Sequence, residues 1–113
     1  MSYKFSLGER TLDDITAEVD AQSNTKIDFE EDYIGLVTSG SSTLVVSGSQ
    51  VGVGTNRPSQ VLDIDGNTIR LRNQRTIPSS NTFGEAGEIC YDANYIYVCV
   101  SIDTWKRVAL SSW

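Results

Sequence analysis

Apolar residues fall in short runs separated by turn-forming residues, and the runs have the period of strands. Lys26–Val37, KIDFEEDYIGLV, alternates through Ile27 and Phe29 and then gathers Tyr33, Ile34, Leu36 and Val37. It predicts two extended segments with Glu30–Asp32 turned to solvent. Ser39–Ser42 is Gly- and Ser-rich and predicts a turn, followed by the β-rich run Thr43–Ser47 and a second turn at Gly48-Ser49. Glu88–Val100, EICYDANYIYVCV, carries the strongest strand signal, with β-branched and aromatic residues on both sides of Asp92-Ala93-Asn94. Placing Tyr91 opposite Tyr95 puts Ile89, Tyr91, Tyr95, Tyr97 and Cys99 on one face. Cys90, Ile96, Val98 and Val100 then fall on the other. Both faces are apolar or amphipathic, so both need covering, and a chain of 113 residues has little with which to cover them. Trp105–Leu110 predicts a last strand, and Asn73–Asn81 with Pro78 predicts a connecting loop.

The centre of the pattern is Val51–Arg72, VGVGTNRPSQVLDIDGNTIRLR. It reads as a Gly-rich turn, a corner at Pro58, a strand with Val61 and Ile64, a hairpin turn at Asp65-Gly66, and a second strand with Ile69 and Leu71. Asp-Gly suits a two-residue type I′ turn because both central positions need positive φ.

One segment departs from this pattern. In Thr11-Leu12-Asp13-Asp14 a hydroxyl precedes acids in the first turn, which favours a helix start. Leu12, Ile15 and Val19 follow at the spacing of one helical face, and Ser23-Asn24 closes the element. The expected fold class is therefore mainly β: short strands and hairpins in a small module, with an N-terminal arm carrying one short helix. The boundary is drawn after Val37, giving an acidic arm over 1–37 and a β-module over 38–113.

Charge sharpens that division. Residues 1–37 hold nine acids against Lys4, Arg10 and Lys26, and account for the whole net charge of −6. The excess has the wrong sign for nucleic-acid binding and suits either docking on a basic protein surface or a solvated acidic face. No apolar run approaches about 18 residues, so no membrane span is expected. The first residues lack an apolar core with a cleavage site, so no secretion signal is expected.

Chemistry adds little to the pattern. Cys90 and Cys99, with Asp92–Asn94 as the turn, lie near Ile96 and Gly87 respectively, too far apart for a disulfide. Two free, half-buried thiols in a reducing cytosol are expected. No metal site and no cofactor are expected: the chain has no histidine and zinc needs more ligands. Gly52-Val53-Gly54 lacks the third glycine of a dinucleotide loop. Asp63–Asn67 lacks the ligand pattern of a calcium loop. Arg70, Arg72 and Arg75 stand at near-alternate positions and suit pairing with a partner's acids. Without histidine the usual general base is missing, and no serine stands in a nucleophile elbow, so no enzyme activity is expected.

The stretch GVGTNRPSQVLDIDGN resembles an element of bacteriophage tail-fibre and other virion structural proteins, through Gly52, Gly54, Thr55, Pro58, Leu62, Asp63 and Gly66. The C-terminal segment is similar to the closing hairpin of small structural proteins of marine and cyanobacterial phages, through Gly87, Tyr91, Asp92, Tyr95, Tyr97, Val98, Trp105, Lys106 and Arg107. The resemblance implies a virion protein, made in the bacterial host cytoplasm, and a homotrimer. The expectation is a capsid decoration (cement) or head-fibre protein. Its arm anchors to the major capsid protein or another virion protein through Phe5, Leu7, Leu12, Ile15 and Val19. Its subunits meet through Ile89, Tyr91, Tyr95, Tyr97 and Trp105. The alternative is a tail-fibre or adhesin-type module that binds a host-surface glycan through the Tyr and Trp face. No nucleic-acid or membrane partner is expected.

Overall fold

A computed structural model describes residues 14–16, 19 and 21–113. Among them there is no helix: the described residues are all β, with nine strands in two sheets. It divides into two compact units, Met1–Asn67 and Thr68–Trp113. Residue 37, where the arm was expected to end, lies inside a strand and is buried.

The described residues of the first unit form one sheet of six strands in sequence order: β1 (Asp14–Thr16), β2 (Lys26–Glu30), β3 (Tyr33–Thr38), β4 (Ser41–Ser47), β5 (Gln50–Val53) and β6 (Leu62–Ile64). The first four pairings are antiparallel and the last is parallel. At Ser39-Gly40 both central residues have positive φ, 51° and 77°, as a type I′ hairpin requires. The expected helix is corrected at its described positions: Asp14–Thr16 is a strand, with Ile15 opposite Ile27. Ile15 and Thr16 are β-branched and lose less freedom in a strand than in a helix. Lys26 donates to Asp14 at 2.6 Å across the same ladder.

Register gives this sheet two unlike faces. One carries an aliphatic row across all six strands, Ile15–Ile27–Leu36–Leu44–Val53–Ile64. Beside it runs a second row, Phe29–Ile34–Val46–Val51–Leu62. The opposite face carries Asp14, Asp28, Gly35, Val45, Gly52 and Asp63, related by the same ladders. Here the sheet covers itself. The Tyr33 ring lies over Gly35, where an added Cβ would come within 2.9 Å of its hydroxyl. The Thr55 carbonyl crosses Gly52 so closely that a Cβ there would stand 2.4 Å away. Between the two glycines Val45 is fully buried.

The second correction concerns Asp65-Gly66. No hairpin forms there: Asp65 N–H donates to the Val53 carbonyl at 2.8 Å, which extends β6 parallel to β5, and residues 68–76 form no strand. The β5–β6 connection, 54–61, is shorter than the dozen or so residues that parallel strands ordinarily need. Gly54 at φ 79° starts the crossover, and Asp63 holds it by accepting from Ser59 N at 2.8 Å and from Ser59 Oγ at 3.2 Å.

The second unit is an antiparallel meander of β7 (Ile89–Tyr91), β8 (Tyr95–Ser101) and β9 (Thr104–Ala109). Its core is Ile77, Tyr97, Cys99 and Trp105, with Cys90 and Tyr95 packed against it. The polar loop before β7 runs along the sheet edges. Arg75 N–H donates to the Tyr91 carbonyl at 2.9 Å, and Trp105 N–H to the Ser80 carbonyl at 2.9 Å. Trp105 Nε1 donates to the Thr82 carbonyl at 3.0 Å. Ile77 is thereby laid into the core from a loop.

Candidate functional site

The expected interface residues do not share a face. Tyr91 pairs with Ile96, not Tyr95, so the turn is one residue longer than the sequence suggests. A one-residue change in register moves a strand's side chains to the other face. Ile89, Tyr91, Ile96, Val98 and Val108 therefore lie on one side, and Cys90, Tyr95, Tyr97, Cys99 and Trp105 on the other. Ile89 is exposed, Tyr91 and Tyr95 are half-buried, and Tyr97 and Trp105 are buried. Cys90 stands opposite Tyr97, whereas Cys99 does lie beside Gly87, whose N–H donates to its carbonyl at 2.7 Å. Both cysteines are free; burial raises the pKa of Cys90.

Of the expected anchoring residues, Phe5, Leu7 and Leu12 lie outside the described residues. Ile15 is on the aliphatic face of the six-stranded sheet, and Val19 is exposed.

Asp92, which the sequence places in the turn, has a side-chain role that sequence reasoning did not assign. It is the buried acid among the described residues. Oδ1 accepts from the N–H groups of Asn94 at 2.8 Å and Tyr95 at 2.9 Å, closing the turn. Oδ2 accepts from Thr76 Oγ1 at 2.8 Å and from the Tyr97 hydroxyl. These donors, the Tyr97 hydroxyl foremost, lower its pKa to about 2, and the same bond raises the pKa of Tyr97. With its acceptor positions filled from four sides, Asp92 serves as an organising group. The available signal was Asp-x-Asn at a turn, since Asp accepts readily from N–H groups two residues on.

Two further arrangements carry polar chemistry. Asp14 and Asp28 stand opposite each other beside Lys26. The Lys26 hydrogen bond lowers the pKa of Asp14, while partial desolvation and the contact with Asp14 raise that of Asp28. In the second unit a cleft of about 250 Å³ opens between Ile77–Ser80 and Trp105–Arg107. Arg107 stacks on the Tyr95 ring at 3.9 Å and Arg75 on the Trp105 ring at 5.3 Å. Arg75 also reaches Glu88, at 3.5 Å. Arg70, Arg72 and Arg75 therefore do not line a strand; they lie in the connecting segment.

Two phage proteins share sequence with this chain. It is 51% identical over 35 residues to "Depolymerase 1, capsule K30/K69-specific" of Klebsiella phage K5-2, a match covering 31% of this chain and 4% of that protein. It is 36% identical over 50 residues to "Depolymerase, capsule K30/K69-specific" of Klebsiella phage K64-1, covering 43% of this chain and 6% of that protein. The chain thus spans a small fraction of the length of these relatives. No protein-family model matches, and no solved structure matches.

The similarity supports a phage structural protein. It also overturns the expectation of no enzyme activity, since both relatives, matched over short stretches, are named as depolymerases. That expectation rested on the missing histidine and on the lack of a nucleophile-elbow serine, and neither excludes chemistry by paired carboxyl groups.

Proposed function

We propose that this chain is a virion protein of the tail-fibre or spike kind, part of the apparatus with which a phage meets and works on the capsular polysaccharide of its host. The observation that carries this is the 51% identity over 35 residues with a phage capsule depolymerase. It displaces capsid decoration as the leading function, because both relatives are named for action on a capsule, the polysaccharide coat of the host. The all-β architecture suits the role: its strands are locked by tight turns, a short parallel crossover and a buried carboxylate.

Sugar contact through stacking on Tyr97 and Trp105 is not part of the proposal, since both rings are buried. The cleft beside them offers better chemistry. Ser79 and Ser80 supply hydroxyl groups, and Lys106 and Arg107 supply cations suited to acidic sugars. The test is to mix the purified chain with K30/K69 capsular polysaccharide and follow both co-sedimentation and polymer length. Binding that weakens several-fold in Arg107→Ala is expected. Neither binding nor shortening of the polymer would remove the proposal.

A further inference from the structure

The six-stranded sheet turns its aliphatic side outward. In the row Ile15–Ile27–Leu36–Leu44–Val53–Ile64, four of the six residues are more than a third exposed: Ile15 46%, Leu36 41%, Leu44 36% and Val53 37%. The adjacent row shows the same, with Ile34 at 45%, Val46 at 44% and Leu62 at 59%. Every charged residue of these strands, Asp14, Lys26, Asp28, Glu30 and Asp63, falls at a register position of the opposite face. That opposite face is the one the chain covers itself, with the Tyr33 ring and the Thr55 backbone. A soluble sheet ordinarily does the reverse, burying its apolar side and wetting its polar one.

We infer that this aliphatic face is a subunit interface, and that its occupant is the same face of a second copy of this chain. Three properties select that occupant. The face carries no charge, so it has nothing with which to recognise a charged partner, and a nucleic acid or acidic glycan would leave it unsatisfied. It is built of branched aliphatic residues, with Phe29 at one end, in straight cross-strand rows, a relief into which a like face can interdigitate at the usual sheet-to-sheet spacing of about 10 Å. Its size also fits. Six strands about 4.8 Å apart, rising about 3.3 Å per residue, give a plan area of about 450 Å² before the relief of the side chains is counted. A patch of that size is already in the range where a contiguous apolar surface marks an interaction site. It is more than half of the roughly 800 Å² that each partner contributes to a standard interface.

The interface therefore lies in the first unit, on residues that do not overlap with Ile89, Tyr91, Tyr95, Tyr97 and Trp105. The inference stands apart from the proposed function, because it rests on the sheet alone.

The test uses the full chain. Light scattering behind size exclusion, over a dilution series, should give a mass that is a multiple of the 12.4 kDa chain. A photo-crosslinking residue, p-benzoylphenylalanine, is then placed at position 44 on the aliphatic face, and in a separate protein at position 28 on the charged face. Crosslinked multimers are expected from position 44 and not from position 28. A mass of one chain at all concentrations overturns the inference. A multimer that fails to crosslink from position 44 overturns the assignment of the face. Leu44→Glu should shift the mass towards one chain while circular dichroism keeps its β signal. Should that variant unfold, the crosslinks from folded wild-type-like protein still decide the matter.

Discussion

The Tyr97 hydroxyl donates to Asp92, five residues earlier in the chain, and joins the middle strand of the second sheet to the turn that precedes it. The same carboxylate takes Thr76 from the incoming loop, so one side chain fastens three segments. Tyr97→Phe removes the first-ranked cause of the low Asp92 pKa. The Asp92 carboxyl, followed by NMR titration, should move up from about 2 towards its ordinary 3.8, and the melting temperature of the protein should fall. An unchanged titration would mean that the tyrosine does not hold the carboxylate.

Asp92 also sets a pH window. Its pKa in the folded state is about 2, below the ordinary value of 3.8, so on acidification the unfolded chain takes up the proton first. The stability it contributes is complete above about pH 4 and drains away as the pH falls towards about 2. Asp92→Asn should be less stable at neutral pH and should lose less on going from pH 4 to pH 2. Denaturant midpoints measured across that range give the comparison.

Gly84 lies against the indole of Trp105, where an added Cβ would stand 2.6 Å from Cζ2. Trp105 is held by Thr82 and Ser80 and has little room to give. Gly84→Ala should cost about 1–3 kcal/mol through overpacking. It should also shift the tryptophan fluorescence as the indole is displaced from its buried position. A variant as stable as the wild type, with an unshifted spectrum, would contradict the packing.

Gly52 tests the parallel crossover. An alanine there meets the Thr55 carbonyl at 2.4 Å, a backbone atom that cannot rotate away. Gly52→Ala should destabilise the first sheet by about 1–3 kcal/mol. Hydrogen exchange should show the loss at the amides of Val51 and Asp65, which donate to the partner strand across the crossover.

The strands from Lys26 to Gln50 were legible because alternation and turn residues agree: Ile27 and Phe29 share a face, and Ser39-Gly40 supplies the two positive φ values. Three features were not legible, each for a definite reason. Leu12, Ile15 and Val19 have helical spacing, yet Ile15 is drawn into a ladder by Ile27, a tertiary partner that local periodicity does not contain. Asp65-Gly66 has the composition of a hairpin, but strand direction is decided by where Val53 offers its carbonyl. The turn after Tyr91 is lengthened by the two N–H groups that Asp92 collects, and that extra residue exchanges the faces of β7. The aliphatic rows were visible one strand at a time. Their union into one uncharged face depends on five pairings keeping a common register.

The placement of the protein on the particle tests the functional account most directly. Intact virions are labelled with gold-conjugated antibody against this chain and imaged. The account predicts gold confined to the tail and its fibres or spikes. Gold spread over the head, or none on particles from a lysate rich in the protein, would contradict it.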